Sequence, residues 1–234
     1  MMRSLRPTRA DDAGVTLVEL LVSMVILGVV MTMVANLFIA ATTSSEQSRL
    51  MHESTANASN IANEVSKGIR QATTNANADG STTPAVLFAQ NERLVLISTV
   101  DVDSKVNLTG VNLQPTIVEY ALDANRNLVE RRWAATLTNN AWTFPDWKTA
   151  TATSTRTVGG KIGPVASATL FTYLKADGIT VLTPPTDPNT SLAAVADVAT
   201  VRLNLNVVPV TGAGKAVVIQ NDVSLANLAI DRRS

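Results

Sequence analysis

GVTLVELLVSMVILGVV, residues 14–30, opens a run that stays almost wholly apolar from Leu17 to Ala41. At 1.5 Å rise per residue, a helix over that run is about 37 Å long, enough to cross a bilayer. A polar stretch with Arg3, Arg6 and Arg9 precedes it, and TTSSEQSR (42–49) ends it. Arginines ahead of the run place the N-terminus in the cytoplasm and the remainder of the chain outside. Glu19 stands against the pattern. A charge deep in a bilayer costs roughly 2.5–3.5 kcal/mol on insertion scales, and such residues usually have a partner. Its place near the cytoplasmic end lowers that cost, and the helix dipole favours an anion in the first turns. Neither consideration says why a carboxylate stands where another leucine would serve.

Three readings compete for the segment. A secretory signal peptide has an apolar core of about 7–15 residues ending at a small-x-small site. This run is longer, and in LFIAATTSS (37–45) Phe38 or Ile39 occupies the position three before the cut. A plain signal anchor fits the length and the arginines but leaves Gly14 and Glu19 without a role. The third reading accounts for all the parts. The short basic leader, the glycine, a hydrophobic residue, Thr-Leu-x-Glu-Leu-Leu and then an apolar helix resemble the N-terminal motif of type IV prepilins and pseudopilins. The resemblance covers about 30 residues, and Val15 departs from it, standing where the family most often has phenylalanine. It implies that a prepilin peptidase cuts after Gly14 and methylates the new amine of Val15, making Glu19 the fifth residue of the mature chain. It further implies that Glu19 pairs with that amine on a neighbouring subunit. The pair would neutralise both charges as a helix passes from lipid into a filament core, and would mark register, because an unpaired buried charge is heavily penalised.

Beyond the membrane the pattern stays helical. In SSEQSRLMHESTANASNIANEVSKGIRQA (44–72), Leu50, Ala58, Ile61, Ala62, Val65 and Ile69 are apolar among polar neighbours. Ile61, Val65 and Ile69 recur every four residues, one face of an amphipathic helix. No proline lies between Pro7 and Pro84, so one helix from about residue 16 to residue 72 is predicted, with Gly28 as a bend point. NANADGSTTP (75–84) then reads as a loop.

From residue 85 the period changes to two. AVLFA (85–89) and RLVLISTV (93–100) form a first expected hairpin, PTIVEYAL (115–122) and NLVERRWA (127–134) a second. SATLFTYLKADGITVL (167–182) is a third, turning at Asp177-Gly178. ATVRLNLNVVP (199–209) puts Val201, Leu203, Leu205 and Val207 on one face, and KAVVIQNDVSLANL (215–228) supplies a last strand. The expected fold class is α+β: a long N-terminal helix packed on one antiparallel sheet whose other face is wet. Four parts follow, namely a cleaved leader (1–14), a membrane and filament-core helix (15–41), an amphipathic stem (42–72) and an extracytoplasmic β-rich domain (73–234). The order of hairpins and the Asp-Gly turn are similar in pattern to larger minor pilins and J-type pseudopilins.

Composition excludes several functions. Lys+Arg and Asp+Glu are each 19, so net charge makes no case for nucleic acid. With no cysteine and one histidine, His52, disulfides are ruled out and zinc, iron–sulfur and haem sites are not supported. His52 reads as a solvated stem residue beside Glu53. PVTGAGKAVV (209–218) fails as a phosphate loop, because Pro209 replaces the first glycine and Ala216 the magnesium-binding hydroxyl. DANRNL (123–128) fails as a calcium loop, with Leu128 for glycine and Ala134 for the bidentate glutamate. Asp101 and Asp103 would need distant residues to hold calcium and read as a solvated loop. Trp133, Trp142 and Trp147 read as packing of a long surface loop, with a sugar- or partner-binding patch as the functional alternative. Pro184, Pro185 and Pro188 stiffen an extended loop suited to recognition.

The reading is a structural subunit and not an enzyme, with no catalytic residue and no cofactor or metal. Its expected partners are the prepilin peptidase, other pilin or pseudopilin subunits, and by resemblance an assembly ATPase and a membrane platform protein. Removal of 14 of the 234 residues leaves 220, large for a shaft subunit, which favours a minor one. The alternatives are a major pilin and a signal-anchored surface domain binding through the tryptophans.

Overall fold

The computed structural model describes residues 16–77, 79–99, 114–138, 141–163, 169–208 and 216–225. The chain divides into two compact units, one reaching to Ser48 and one beginning at Arg49. Helix α1 (Leu17–Arg70) supplies every described residue of the first unit except Thr16. Its Val and Ile residues are mediocre helix formers in water. In an apolar medium helix is still the only outcome, because each backbone N–H and C=O must be bonded within the segment. Hydroxyls obey the same rule: Ser23 Oγ donates to the Glu19 carbonyl at 2.7 Å and Thr32 Oγ1 to the Gly28 carbonyl at 2.8 Å.

In the second unit α1 lays one stripe on the β-structure. Leu50, Ala58, Ile61, Ala62, Val65 and Ile69 are buried, as the apolar period predicts, and Ser54, Ser66 and Gly68 join them. The small residues are there for closeness. A Cβ at Gly68 would overlap the Tyr120 hydroxyl, and one at Gly159 would overlap the Ile61 side chain.

Two ribbon strands, β1 (Asn75–Ala76) and β2 (Thr82–Thr83), fall within the expected loop. They are followed by β3 (Val86–Ala89), β4 (Arg93–Ser98), β5 (Thr116–Leu122) and β6 (Leu128–Ala134). A hairpin, β7 (Thr136–Thr138) with β8 (Ala141–Thr143), precedes β9 (Ser154–Gly159). The chain continues through β10 (Phe171–Leu174), β11 (Val181–Leu182), a short 3₁₀ turn (Val195–Asp197), β12 (Thr200–Val207) and β13 (Val217–Ser224). These make a five-stranded sheet, β3-β4-β5-β6-β9, and a four-stranded sheet, β11-β10-β12-β13, both antiparallel. The three expected hairpins are present as β3–β4, β5–β6 and β10–β11, the last turning at Gly178 with φ +70°.

The expectation of one sheet with a wet outer face is corrected on both counts. Leu94, Leu96, Val118, Tyr120 and Leu128 of the larger sheet share one core with Phe171, Tyr173, Val201, Leu203 and Leu205 of the smaller sheet and with the α1 stripe. The far face of the larger sheet carries Val95, Ile97, Ile117 and Trp133, covered by Phe144, Trp147, Ala150 and Ala152. The physical reason lies in β4: LVLIS (94–98) is apolar on both faces, so it requires two covering layers, and the segment after β6 supplies the second.

Two buried carboxylates fasten these layers. On the covered face, Glu119 is held by Arg93 and by Arg131 at 2.9 Å. Arg93 also lies over the Phe88 and Trp147 rings, 5.1 and 5.2 Å from their centroids. On the helix face, Glu130 accepts from Arg132 and from Arg156 Nη2 at 2.8 Å, and Arg156 reaches across to Glu64 of α1. Burial pushes the Glu130 carboxyl up, but the Arg156 and Arg132 guanidiniums outweigh it and hold the group below its ordinary range.

Candidate functional site

The segment Leu17–Ala41 carries its large apolar side chains exposed. Leu17 is 81% exposed, Leu37 72% and Phe38 69%, and the other large apolar side chains of the segment are likewise open. Each such side chain gains roughly 1.5–3 kcal/mol on leaving water. A segment of this kind therefore needs an apolar surround, lipid or other helices. Among the described residues α1 is the one helix long and apolar enough to cross a membrane.

Glu19 sits in the first turn of α1. Thr16 stands just before the helix, its Oγ1 accepting the Glu19 backbone N–H at 3.3 Å while its carbonyl accepts from Leu20 at 3.1 Å. Thr16-Leu17-Val18-Glu19 has the spacing of a capping box, which satisfies an orphan N–H and fixes where the helix begins. In the sequence, the T-x-x-E spacing of Thr16 and Glu19 is the signal for this cap. Among the described residues the Glu19 carboxylate makes no hydrogen bond or ion pair, and the residue is exposed. Asn36, mid-segment, is also without a side-chain partner there, and a hydropathy reading gives an amide little weight. Both are polar groups offered outward from an apolar helix. The predicted processing residues Gly14 and Val15 lie outside the described residues.

Of the remaining candidates, some fall within the described residues and some do not. His52 is exposed on α1, one residue before Glu53, which pairs with Arg49 at 2.7 Å. Asp101 and Asp103, with Gly212 and Gly214 of the rejected phosphate loop, lie outside the described residues. Asp123 is engaged in its own turn, accepting the backbone N–H groups of Asn125 and Asn127, both at 2.8 Å. These bonds hold its carboxyl below the usual range and tie it to its own turn. No group of three His, Cys, Asp or Glu able to hold a metal occurs among the described residues.

The tryptophans divide. Trp133 is buried, its indole N–H donating to the Ala150 carbonyl at 3.0 Å, and Trp147 packs edge-on to Phe88. Trp142 lies half-buried in β8, on an open cleft of about 370 Å³ shared with Phe144, Pro145 and Trp147. Trp133 on β6 and Trp147 in the layer over it thus belong to the packed outer face of the larger sheet, and Trp142 does not.

A comparison with curated proteins finds no match to this chain. Residues 9–35 match the family model described as the prokaryotic N-terminal methylation motif. That motif is the type IV prepilin and pseudopilin signal, and with the apolar helix it opens it marks this chain as type IV pilin-like.

Proposed function

We propose that the protein is a minor pilin or pseudopilin, a structural subunit that joins or primes a type IV pilus, competence filament or type II secretion pseudopilus. The observation that carries the reading is the methylation motif at residues 9–35, with Glu19 in the first turn of α1, where the exposed and almost wholly apolar segment Leu17–Ala41 begins. In this reading residues 1–14 are a leader removed after Gly14 by the prepilin peptidase, and Val15 becomes the methylated N-terminus. Residues 15–41 hold the chain in the cytoplasmic membrane and later line the filament core. Residues 42–72 form the stem, and 73–234 stand outside the membrane. Glu19 takes the Val15 amine of a neighbouring subunit, so that neither charge is buried alone. Work is supplied by an assembly ATPase and platform protein. The size of the mature chain, 220 residues once 14 of 234 are removed, supports a minor over a shaft role.

Mass spectrometry of the protein from its host tests the first step. An N-methylated Val15 is expected; an intact Met1 leaves only a tethered surface domain. Glu19→Ala tests the second: membrane insertion persists, and recovery of the subunit in sheared filaments or with partner subunits is lost. Undiminished incorporation of Glu19→Ala refutes the pairing.

A further inference from the structure

One cavity of the second unit plays no part in the reading above. It encloses about 560 Å³ where the β3–β4 turn, the β5–β6 turn and the proline-bearing loop meet the start of β10 and the middle of β12. That volume lies within the roughly 300–1,000 Å³ of small-molecule sites. Its floor includes Leu122 and Leu170; its walls include Asn91, Thr186, Pro188, Asn189 and Asn204.

The walls are held before any ligand arrives. Gln90, 4% exposed, donates its side-chain amide to the Pro185 and Asp187 carbonyls at 3.0 and 2.8 Å, and also to that of Thr190. Ser191 Oγ accepts the Ala89 N–H at 3.0 Å, so the loop is stitched both to the end of β3 and to the turn that follows it. Asn204, 5% exposed, is fixed from the other side by donation to the Thr169 carbonyl at 2.8 Å. A loop fixed in this way loses little further freedom when a ligand binds.

The charged side chains on the lining are tied to partners within the protein. Arg93 is committed to Glu119 and to two aromatic rings. Arg126 donates Nε to the Ile162 carbonyl at 2.6 Å and Nη2 to Glu92 at 3.1 Å. Arg126 holds these bonds at φ +59°, a conformation a non-glycine residue adopts at a cost. By contrast, the Asn91 amide and the Thr186 hydroxyl have no side-chain partner among the described residues. What the site offers is uncharged donors and acceptors around a small apolar floor. That combination suits adjacent hydroxyls on one edge of a ring and C–H groups on its face, and it does not suit an anion, which needs a free cation.

We propose that this cavity binds a neutral saccharide of one or two rings, with Asn91, Thr186 and Asn189 meeting its hydroxyls and Leu122, Leu170 and Pro188 its apolar face. The site is independent of the filament reading, since none of its residues lies on α1. The test uses the isotope-labelled full chain in a sugar-free zwitterionic detergent. It is titrated with D-glucose, D-galactose and N-acetyl-D-glucosamine, and with D-glucuronate as the charged arm. Saturable millimolar shifts from at least one neutral sugar, centred on Asn91, Thr169 and Asn189, are expected. Asn91→Leu and Thr186→Val should each weaken that binding about tenfold, while Trp142→Ala at the aromatic cleft leaves it unchanged. Thr186 lies on an exposed loop, so its variant stays informative if the β3–β4 turn does not tolerate leucine. Absence of saturation with all three neutral sugars, tighter binding of glucuronate, or binding that Thr186→Val leaves intact overturns the assignment.

Discussion

Glu130 is the side chain whose removal tests the helix–sheet joint most sharply. Its carboxylate is fully enclosed and receives Arg132 and Arg156, while Arg156 also reaches Glu64 on α1. Glu130→Ala strips both guanidiniums of their shared partner. Arg132, only 12% exposed, has little access to water, whereas Arg156, 47% exposed, can be hydrated. Removing one member of a fully buried pair costs about 3–5 kcal/mol, so a loss near the lower end, about 3 kcal/mol, is expected. Glu64→Ala removes only a half-exposed partner and should cost about 0.5–1 kcal/mol. Chemical unfolding of the full chain in micelles, followed by tryptophan fluorescence, reads this directly, because all three tryptophans lie outside α1. The pH dependence supplies a second readout. The folded Glu130 pKa is below its unfolded value, so its stabilisation is present above the unfolded pKa and is lost as pH falls through the folded one. Glu130→Gln should flatten the acid limb of stability against pH. Equal, sub-kilocalorie losses for Glu130→Ala and Glu64→Ala, with an unchanged acid limb, would refute the joint.

Two further outcomes test the packing. Gly68→Ala places a methyl on the Tyr120 hydroxyl, and such overpacking costs about 1–3 kcal/mol; a midpoint equal to wild type would show that α1 does not approach the sheet so closely. Arg93→Met keeps an apolar stem but removes the guanidinium from Glu119 and from the Phe88 and Trp147 rings. A loss of about 2 kcal/mol is expected, together with a shift of the Trp147 emission on unbinding of its cover, and an unmoved emission would contradict the sandwich.

Local chemistry was enough to read the N-terminal helix. A run from Leu17 to Ala41 with no proline has one option in lipid, and the four-residue recurrence of Ile61, Val65 and Ile69 named the buried stripe before any contact was known. The alternation of β12 and the Asp177-Gly178 turn were legible for the same reason: each depends on neighbours a few positions away. Glu19 was identifiable as an oddity from hydropathy alone, and Thr16 beside it was missed although its spacing was in view. Tertiary structure decided what depends on distant partners. The division into two sheets, the layer over Val95 and Ile97, and β9 under Ile61 arise because a strand apolar on both sides must find two covers. Glu119 and Glu130 read as ordinary strand residues, yet each is buried with arginines converging on it, Arg93 and Arg131 from the strands beside β5, and Arg156 from β9 together with Arg132 of β6 itself. The cavity behind the proline loop belongs to the same class, since Gln90 meets Pro185, Asp187 and Thr190 across about a hundred residues of chain. Periodicity records which face a residue takes; which residue comes to meet it is settled only when the whole chain closes.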